Sequence, residues 1–323
     1  MSCLPSFDTL DAAQVWLLRN LMECGSEVRP RASLTRELLG VGFVVTHPRT
    51  RCLTNRKRRF NLPLAIGEFA WHAAGSDELS FVAYYAPRWR DFADDDTRVT
   101  GSCYGAKIFG SQFGTSQWQQ LTDTLRDDVH SRRAILSLWD IARPTTSDVK
   151  DVPCTCTIQF LIRDHAVHAV VHMRSNDVIW GLPYDFFFFT MLQELLAEQL
   201  NLPLGTYTHF ASSMHIYDRH FALAEQILAD PDAEAFEMPR LSAAHQLPEF
   251  LAVERATRLN GSLPDVSHFN EYWRELIEVL FWFRSVRDAG KMAAVRAQIP
   301  PSRYARLLKQ MIRPTAPETL ASG

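Results

Sequence analysis

The spacing of apolar residues predicts alternating helices and strands over the first half of the chain. Apolar positions between residues 8 and 26 recur with nearly helical spacing, and Asp8 can cap the amino end of this helix. Residues 91–105 are acidic and then carry glycine, which predicts a loop. The remaining patterns predict a strand over 41–46, a helix over 62–74, a helix over 118–129 and a strand over 133–139.

The second half of the chain begins with a predicted hairpin and ends in a mostly helical region. Polar and apolar residues alternate over 155–161, and residues 167–173 return as the partner strand. A turn at Gly181 precedes a long predicted helix that runs to about Leu200. The rest of the pattern predicts a strand over 206–217, helices from about 221 to 308, and frayed chain over 314–323.

These elements predict an α+β fold in which a mixed β-sheet packs against helices. Residues 1–29 are expected to form an N-terminal helix, and residues 30–225 the core. Residues 226–323 are expected to form a helical C-terminal extension of the same domain. A chain of 323 residues is long enough for such a domain to bury a large core.

The composition excludes several classes of protein. With 34 Lys+Arg against 37 Asp+Glu, the formal charge is −3, which argues against a nucleic-acid partner. The longest apolar stretch falls short of the ~20 residues that a membrane span needs, and the amino terminus lacks the pattern of a signal peptide. The six cysteines are scattered, so we expect no disulfide framework and a reducing, cytoplasmic setting.

One cysteine and two histidines are candidates for chemistry. Cys154 follows Pro153 at the start of a predicted strand and could be a nucleophile if a nearby cation lowers its pKa. A buried structural thiol is the alternative interpretation of Cys154. His168 and His172 share a strand face, but no further His or Cys stands at ligand spacing, so we expect no metal site.

Several arginines lie near predicted strand ends or loops, where they could bind a phosphate. Arginine forks form charge-assisted, bidentate bonds with a dianionic phosphate that lysine matches less well. The alternative is that each is a solvated surface charge. The candidates are Arg49, Arg51, Arg132, Arg133 and Arg174.

Short motifs between Arg49 and His220 resemble, in order and spacing, those of the thymidylate synthase family. The segment from Cys154 to Tyr217 carries the most specific of them. The resemblance implies the α+β thymidylate synthase fold and an enzyme of one-carbon transfer. The matching motifs are Arg59-Phe60-Asn61-Leu62, Glu68-Phe69-Ala70-Trp71, Tyr104-Gly105, Ser131-Arg132-Arg133-Ala134-Ile135, Pro153-Cys154, Arg174-Ser175-Asn176-Asp177-Val178, Gly181-Leu182-Pro183-Tyr184-Asp185 and His215-Ile216-Tyr217.

The resemblance implies how these residues would work. Cys154 would add to C6 of a pyrimidine nucleotide, and C5 would then attack the methylene group of 5,10-methylenetetrahydrofolate. Glu68 would organise water and move protons, and Tyr104 belongs to the same implied catalytic set. The implied folate-binding residues are Asp177, Trp89 and Gly181, and no metal is implied.

The resemblance also implies how the nucleotide would be held. Arg174 and Ser175 would bind the phosphate, together with an arginine of the 49–51 segment (Arg49 or Arg51) and with Arg132 and Arg133. In the family the latter pair comes from the partner subunit, which implies a homodimer. His215 and Tyr217 would hydrogen-bond the sugar.

One departure from the family pattern concerns the base. Family members that use uracil have Gly-Leu-Pro-Phe-Asn, whereas this chain has Tyr184-Asp185. A carboxyl group can accept from the cytosine N4 amino group and share a proton with N3, whereas ionised Asp185 would repel uracil O4. The alternative is that Asp185 is only a helix N-cap.

A second departure concerns the end of the reaction. The C-terminal residues do not resemble the tail that closes over the folate in the synthases, and looser closure would admit water. The leading hypothesis is therefore folate-dependent 5-hydroxymethylation of a cytidine monophosphate, either dCMP or CMP. The alternatives are thymidylate- or uridylate-type methylation of dUMP, and a catalytically silent nucleotide- or RNA-binding protein on the same scaffold.

Overall fold

The computed structural model describes residues 4–112, 114–146, 148–261, 264–289, 299–300 and 302–311. The expected fraying over 314–323 lies outside these residues. The strands in the described part are β1 (Ser6–Phe7), β2 (Ser26–Val28), β3 (Thr35–Val45), β4 (Ser111–Gln112), β5 (Thr115–Ser116), β6 (Ile135–Ser137), β7 (Thr155–Arg163), β8 (Ala166–Met173), β9 (Asn176–Asp177) and β10 (Leu204–Tyr217).

Helices account for most of the remaining described chain. They are α1 (Leu10–Cys24), α2 (Leu62–Ala73), α3 (Leu79–Tyr85), α4 (Trp89–Phe92), α5 (Tyr104–Phe109), α6 (Gln117–Asp127), α7 (Leu182–Leu200), α8 (Phe221–Ala229), α9 (Leu247–Asn260), α10 (Glu271–Ala289) and α11 (Ala305–Met311). The α+β class is therefore confirmed. Within the described residues, no helix combines the length and the apolar character needed to cross a bilayer.

The sheet sets the geometry of the molecule. Its strands follow the order β1-β3-β10-β8-β7-β6, with β2 beside β3 and β9 beside β10. β7 and β8 form the predicted antiparallel hairpin, and Asp164 and His165 at its turn adopt positive φ angles. β8 runs parallel to β10, so the carboxyl ends of these strands lie at the same edge of the sheet. Cys154, which precedes β7, lies at that edge because its carbonyl accepts from Arg174 N at 2.9 Å.

The two faces of the sheet differ in burial. On one face, alternate residues of β7 such as Ile158 and Phe160 are fully buried, and on the neighbouring strands α7 packs against β8 and β10 and α1 against β3. α7 is buried along most of its length, including all four phenylalanines at 186–189, which explains its apolar run. On the other face, residues such as Gln159, Val170 and Phe210 remain half-exposed. We refer to this less buried side as the uncovered face of the sheet.

Several predicted boundaries were wrong for identifiable reasons. The N-cap of α1 is Thr9, whose hydroxyl accepts from Ala12 N at 3.1 Å. Asp8 instead accepts a hydrogen bond from the Thr46 hydroxyl at 2.8 Å. β3 begins at Thr35, six residues before the predicted start at 41, because it pairs with β10 along its whole length. The predicted loop over 91–105 contains the end of α4 and the start of α5.

Candidate active site

The candidate nucleophile lies where two loops meet. Cys154 is half-buried just before β7, and its backbone N–H donates to the Tyr104 hydroxyl at 3.2 Å. The N–H of Thr155 donates to the same hydroxyl, also at 3.2 Å. Burial raises the pKa of Tyr104, so its hydroxyl keeps its proton. Because both N–H groups occupy its lone pairs, this proton is free to be donated towards the site.

Arg174 lies beside the thiol. Its Nη2 is 3.7 Å from Sγ of Cys154, and its guanidinium also donates to the carbonyls of Val152 and Pro153 at 2.9 and 2.8 Å. Burial raises the pKa of the Cys154 thiol to about 11, and the Arg174 charge opposes that rise. The cation therefore favours the thiolate, which is the nucleophilic form.

A second cation near the thiol was missed by the sequence analysis. The charge of Arg31 also lowers the pKa of Cys154, and it lowers that of the Tyr217 hydroxyl. Arg31 and Ala32 have φ angles of 50° and 64° in the turn between β2 and β3. Positive φ is uncommon for residues other than glycine, and such strain is frequent at functional sites. The Arg-Pro-Arg sequence at 29–31, between two predicted elements, was the available signal.

Glu68 is positioned by a helix and an indole. It lies on α2, whose N-cap is the Asn61 side chain, which accepts from Leu64 N at 3.1 Å. Trp89 Nε1 donates to Glu68 Oε1 at 2.8 Å. Burial raises the pKa of Glu68 to about 7, and the Trp89 hydrogen bond opposes the rise. A carboxyl group that titrates near neutrality is suited to act as a general base.

Asp185 is a second carboxyl group with a raised pKa. Burial, together with the charges of Glu68 and Asp177, raises the pKa of Asp185 to about 7. Asn176 Nδ2 donates to Asp185 Oδ2 at 2.8 Å and opposes that rise. The N-cap of α7 is Gly181, so the interpretation of Asp185 as a helix cap is wrong. Asn176 was not singled out by the sequence analysis, although it lies in a quoted motif.

The residues assigned to the sugar and the folate lie along the same edge of the sheet. Ser175 Oγ is 3.5 Å from His215 Nδ1, and the rings of His215 and Tyr217 meet edge to face at 5.2 Å. Burial lowers the pKa of His215, which favours the neutral ring. Asp177 pairs with His215 in the sheet and accepts from Ile179 N at 2.8 Å. At Gly181, a Cβ atom would lie 2.9 Å from Asn176 Nδ2, so glycine permits close packing there.

Two arginines of the expected phosphate site lie elsewhere. Arg51 is fully buried and donates to Glu194 Oε2 at 2.6 Å, so the structure assigns it to an ion pair in the core. Arg49 donates to Glu237 at 2.6 and 2.8 Å beside Leu204, where β10 begins. The Cys154 edge lies beyond Ala211, at least about 23 Å away along the strand. Neither arginine is therefore kept in the candidate site.

The arginine pair also lies far from Cys154 of its own chain. Arg132 and Arg133 are exposed just before β6, which pairs with β7 through Ile135 and Gln159. This register places Arg133 beside Leu161, about 23 Å along β7 from Cys154. An arginine side chain cannot span that distance within one protomer.

Two further features lie outside this site. A cavity of about 480 Å³ lies at the far end of β10, between the segments 46–49 and 201–204. Its arginines are already paired with carboxylates, and none of the candidate catalytic residues lines it. Among the described residues, no group of three or more His, Cys, Asp or Glu could hold a metal ion.

Comparison with known proteins agrees with this geometry. The protein named Thymidylate synthase from Symbiobacterium thermophilum (strain DSM 24528 / JCM 14929 / IAM 14863 / T) is 28% identical over 232 residues, which cover 67% of this chain and 77% of that protein. Thymidylate synthase from Buchnera aphidicola subsp. Baizongia pistaciae (strain Bp) is 25% identical over 190 residues, 55% of this chain and 68% of that protein. A family model described as Thymidylate synthase matches residues 17–260, well over half of the chain, and the protein therefore belongs to the thymidylate synthase family.

Proposed function

We propose that this protein is a folate-dependent cytidylate 5-hydroxymethyltransferase that uses dCMP or CMP. Members of the family transfer one carbon from methylenetetrahydrofolate to a pyrimidine nucleotide, so the chain is a one-carbon transferase. The observation that carries the choice of cytosine is Asp185, a carboxyl group that titrates near pH 7 beside Glu68. We also propose a cytoplasmic location, which the free cysteines of the described chain support.

The chemistry of the base favours a carboxyl group at this position. Cytosine presents an N4 amino donor next to the N3 acceptor. One oxygen of Asp185 would accept from N4–H, while the proton on the other oxygen would be shared with N3. Because Asn176 Nδ2 binds Oδ2, the carboxyl group has a fixed orientation, and the amide stabilises the charge when the proton moves to N3.

The nucleotide would be held by cations and neutral hydrogen-bonding groups. Arg174 and Arg31, both close enough to act on Cys154, would bind the phosphate together with Ser175. His215 and Tyr217 would bind the sugar, because His215 is neutral and adjoins Ser175. Asp177 and Trp89 would line the folate pocket next to Gly181. The Asp177 carboxyl group keeps a further acceptor beyond the bond from Ile179 N, which suits a donor-rich pterin ring.

The proposed reaction uses Cys154 and Glu68 in turn. Sγ forms a bond to C6, and the electrons of the C5–C6 double bond make C5 nucleophilic. 5,10-Methylenetetrahydrofolate, when bound, supplies the one-carbon unit that C5 attacks. Glu68 would then remove the C5 proton and pass it to the folate nitrogen, whose bond to the transferred carbon breaks so that tetrahydrofolate leaves. Glu68, ionised again, would activate the water that adds to this exocyclic carbon. Loss of Sγ from C6 restores the double bond and completes 5-hydroxymethylation.

We further propose that the protein acts as a homodimer. The uncovered face of the sheet supports this, because its half-exposed Val170 and Phe210 would be buried by a second copy. Exposed Arg132 and Arg133 lie too far from their own Cys154 and would reach the phosphate bound by the partner subunit. The partner's cations would thus complete the site.

The mass of the product tests the proposal. The protein is incubated with methylenetetrahydrofolate and, separately, with dCMP, CMP and dUMP. Addition of about 30 Da to a cytidylate is expected from hydroxymethylation, whereas methylation adds about 14 Da. Conversion of dUMP alone would contradict the assignment and favour the second candidate, a methylating synthase, which the names of the two relatives support.

Variants separate base reading from chemistry. Asp185→Asn is expected to shift preference from cytidylate to uridylate by at least ~10-fold, the size of one hydrogen-bond mismatch. Asp123→Asn, on the exposed surface of α6, is the matched control and should change nothing. Unchanged cytidylate preference in Asp185→Asn would refute the base-reading argument. Cys154→Ser should bind nucleotide without turnover, and full activity in that variant would refute the mechanism.

A further inference from the structure

A buried carboxylate next to the nucleophile loop is not used by the proposed reaction. Asp151 is 4% exposed, three residues before Cys154. Its Oδ2 accepts from Gly101 N at 2.6 Å, and its Oδ1 accepts from Ser102 N at 2.9 Å. Gly101 packs so closely that a Cβ atom would collide with the Asp151 carbonyl oxygen. Asp151 therefore joins the loop before Cys154 to the loop before Tyr104.

Two further charged groups extend this connection. Arg143 Nε donates to the Asp151 carbonyl at 2.6 Å, and its Nη2 donates to Asp94 Oδ2 at 2.8 Å. Asp94 also accepts from the backbone N–H groups of Lys150 and Asp151, at 2.7 and 3.1 Å. The Arg143 side chain is only 14% exposed. Such a network resists solvent screening better than an exposed ion pair does.

The network joins the three segments that carry the proposed catalytic groups. Asp94 follows α4, whose Trp89 holds Glu68. Gly101 and Ser102 precede Tyr104, whose hydroxyl binds the two N–H groups at the nucleophile. Asp151 itself precedes Cys154. The relative positions of these three groups therefore depend on contacts that lie outside the proposed substrate site.

We propose that Asp94, Arg143 and Asp151 form a clamp that holds Glu68, Tyr104 and Cys154 in their reactive arrangement, with Asp151 as the main positioning residue. This inference rests on the proposed role of Cys154 and not on the identity of the base. Misplacement of a reacting group by about 1 Å can cost ~100-fold in rate, so loss of the clamp is expected to lower the rate of the reaction.

The charge of Asp151 argues for a positioning role over an electrostatic one. Its negative charge raises the pKa of the Cys154 thiol and so works against the thiolate. A carboxylate that only opposed thiol activation would lower the rate. Its benefit must therefore come from the two backbone N–H groups that it binds.

Because the charge of Asp151 disfavours the thiolate while its hydrogen bonds position the loop, removing Asp151 should affect thiol reactivity and turnover in opposite directions. A merely structural role would not produce this combination. In Asp151→Asn, one acceptor and the charge are lost, so the thiol pKa should fall. Alkylation of Cys154 by iodoacetamide should become at least ~2-fold faster at pH about 8. The modified thiol is located by fragment-ion mass spectrometry, because Cys24 is exposed and the nearby Cys156 is half-buried like Cys154. At the same pH, the kcat of Asp151→Asn should fall ~10-fold or more, while its KM for the nucleotide changes less than ~3-fold.

Three further variants separate the effect of the clamp from the general effect of removing a charge. Asp77→Asn breaks an exposed ion pair with Arg98 and should alter neither alkylation nor turnover. Arg143→Lys keeps the charge but not the two-sided contact, and it should lower kcat by a smaller factor than Asp151→Asn. Gly101→Ala should reproduce the loss of kcat without the faster alkylation, because no charge is removed.

The outcomes distinguish this inference from the proposed function. A kcat of Asp151→Asn within ~2-fold of the unmodified protein would overturn the clamp. So would a loss of kcat that only follows the unfolded fraction measured by circular dichroism. Turnover that persists in Cys154→Ser would instead overturn the proposed function. The thiol reactivity of Cys154 needs no substrate, so it can be measured whichever base the enzyme accepts.

Discussion

The hydrogen bond between Trp89 and Glu68 sets the pH at which the proposed general base works. In Trp89→Phe the Nε1 donor, 2.8 Å from Glu68 Oε1, is lost, while an aromatic ring still packs beside Trp71. The bond stabilises the ionised carboxylate, so its removal raises the pKa of Glu68 further above its present value of about 7. The acid limb of the pH–rate profile should move to higher pH.

The size of this shift follows from the strength of the bond. A hydrogen bond to a charged group is worth about 1.5–3 kcal/mol, and one pKa unit corresponds to about 1.4 kcal/mol. These values give a shift of about one to two units. Because the Glu68 side chain is half-buried, water can replace part of the lost bond, and we expect about one unit. The ionised fraction at pH 7 then falls about fivefold, from about one half to about one tenth.

The assay is the pH dependence of kcat/KM, which reports groups of the free enzyme. Activity of Trp89→Phe should drop about fivefold at pH 7 and recover above pH about 9. Asp185 also titrates near neutrality, so the effect of Trp89→Phe is measured again within an Asp185→Asn background, with dUMP as substrate, where the titration of Asp185 no longer overlaps that of Glu68. Trp139→Phe, at an exposed tryptophan, is the control. An acid limb that stays in place would refute the assignment of Glu68 as the base that Trp89 tunes.

Two further predictions concern charges that the sequence analysis misplaced or missed. Arg51→Met should destabilise the fold by about 3–5 kcal/mol in urea unfolding, because it leaves Glu194 buried and unpaired. Arg51→Met with Glu194→Gln should recover much of that loss, since Gln still accepts from Leu241 N; no recovery would contradict the buried-charge explanation. Arg31→Ala should raise the thiol pKa of Cys154, slow its alkylation at pH 8 and raise KM for the nucleotide; unchanged KM would remove Arg31 from the phosphate site.

The sequence predicted the site best where residues lie on periodic elements. Cys154 and Arg174 lie at the ends of strands whose alternation is plain, and the strand pairing that brings them together follows from the hairpin. Asp185 lies in the first turns of a helix whose start is marked by Gly181 and Pro183. In these segments the local sequence pattern and the position in the fold agree, so the order of the motifs was enough to predict which residues lie close together.

The arginines show where local pattern fails. Arg51 lies in a basic segment that resembles exposed chain, but it pairs with Glu194 across 143 positions of sequence. Nothing near Arg51 indicates that partner, because the pairing depends on how α7 packs. Arg31 was missed because it lies in a short turn without periodicity. The pairing of β3 with β10 in the folded chain brings it near Cys154.

The two neighbouring carboxyl groups explain how one site could both read a base and move protons. Glu68 and Asp185 repel each other when both are ionised, so one proton is favoured between them near neutral pH. The Trp89 hydrogen bond stabilises the charge on Glu68, whereas the charges of Glu68 and Asp177 raise the pKa of Asp185. Burial raises both pKa values to about 7, so the pair can hold one proton near neutral pH. In the proposed reaction the competent form has that proton on Asp185, where it is shared with cytosine N3, and an ionised Glu68 that acts as base. One proton shared by two neighbouring acids thus allows one of them to read the base while the other accepts a proton.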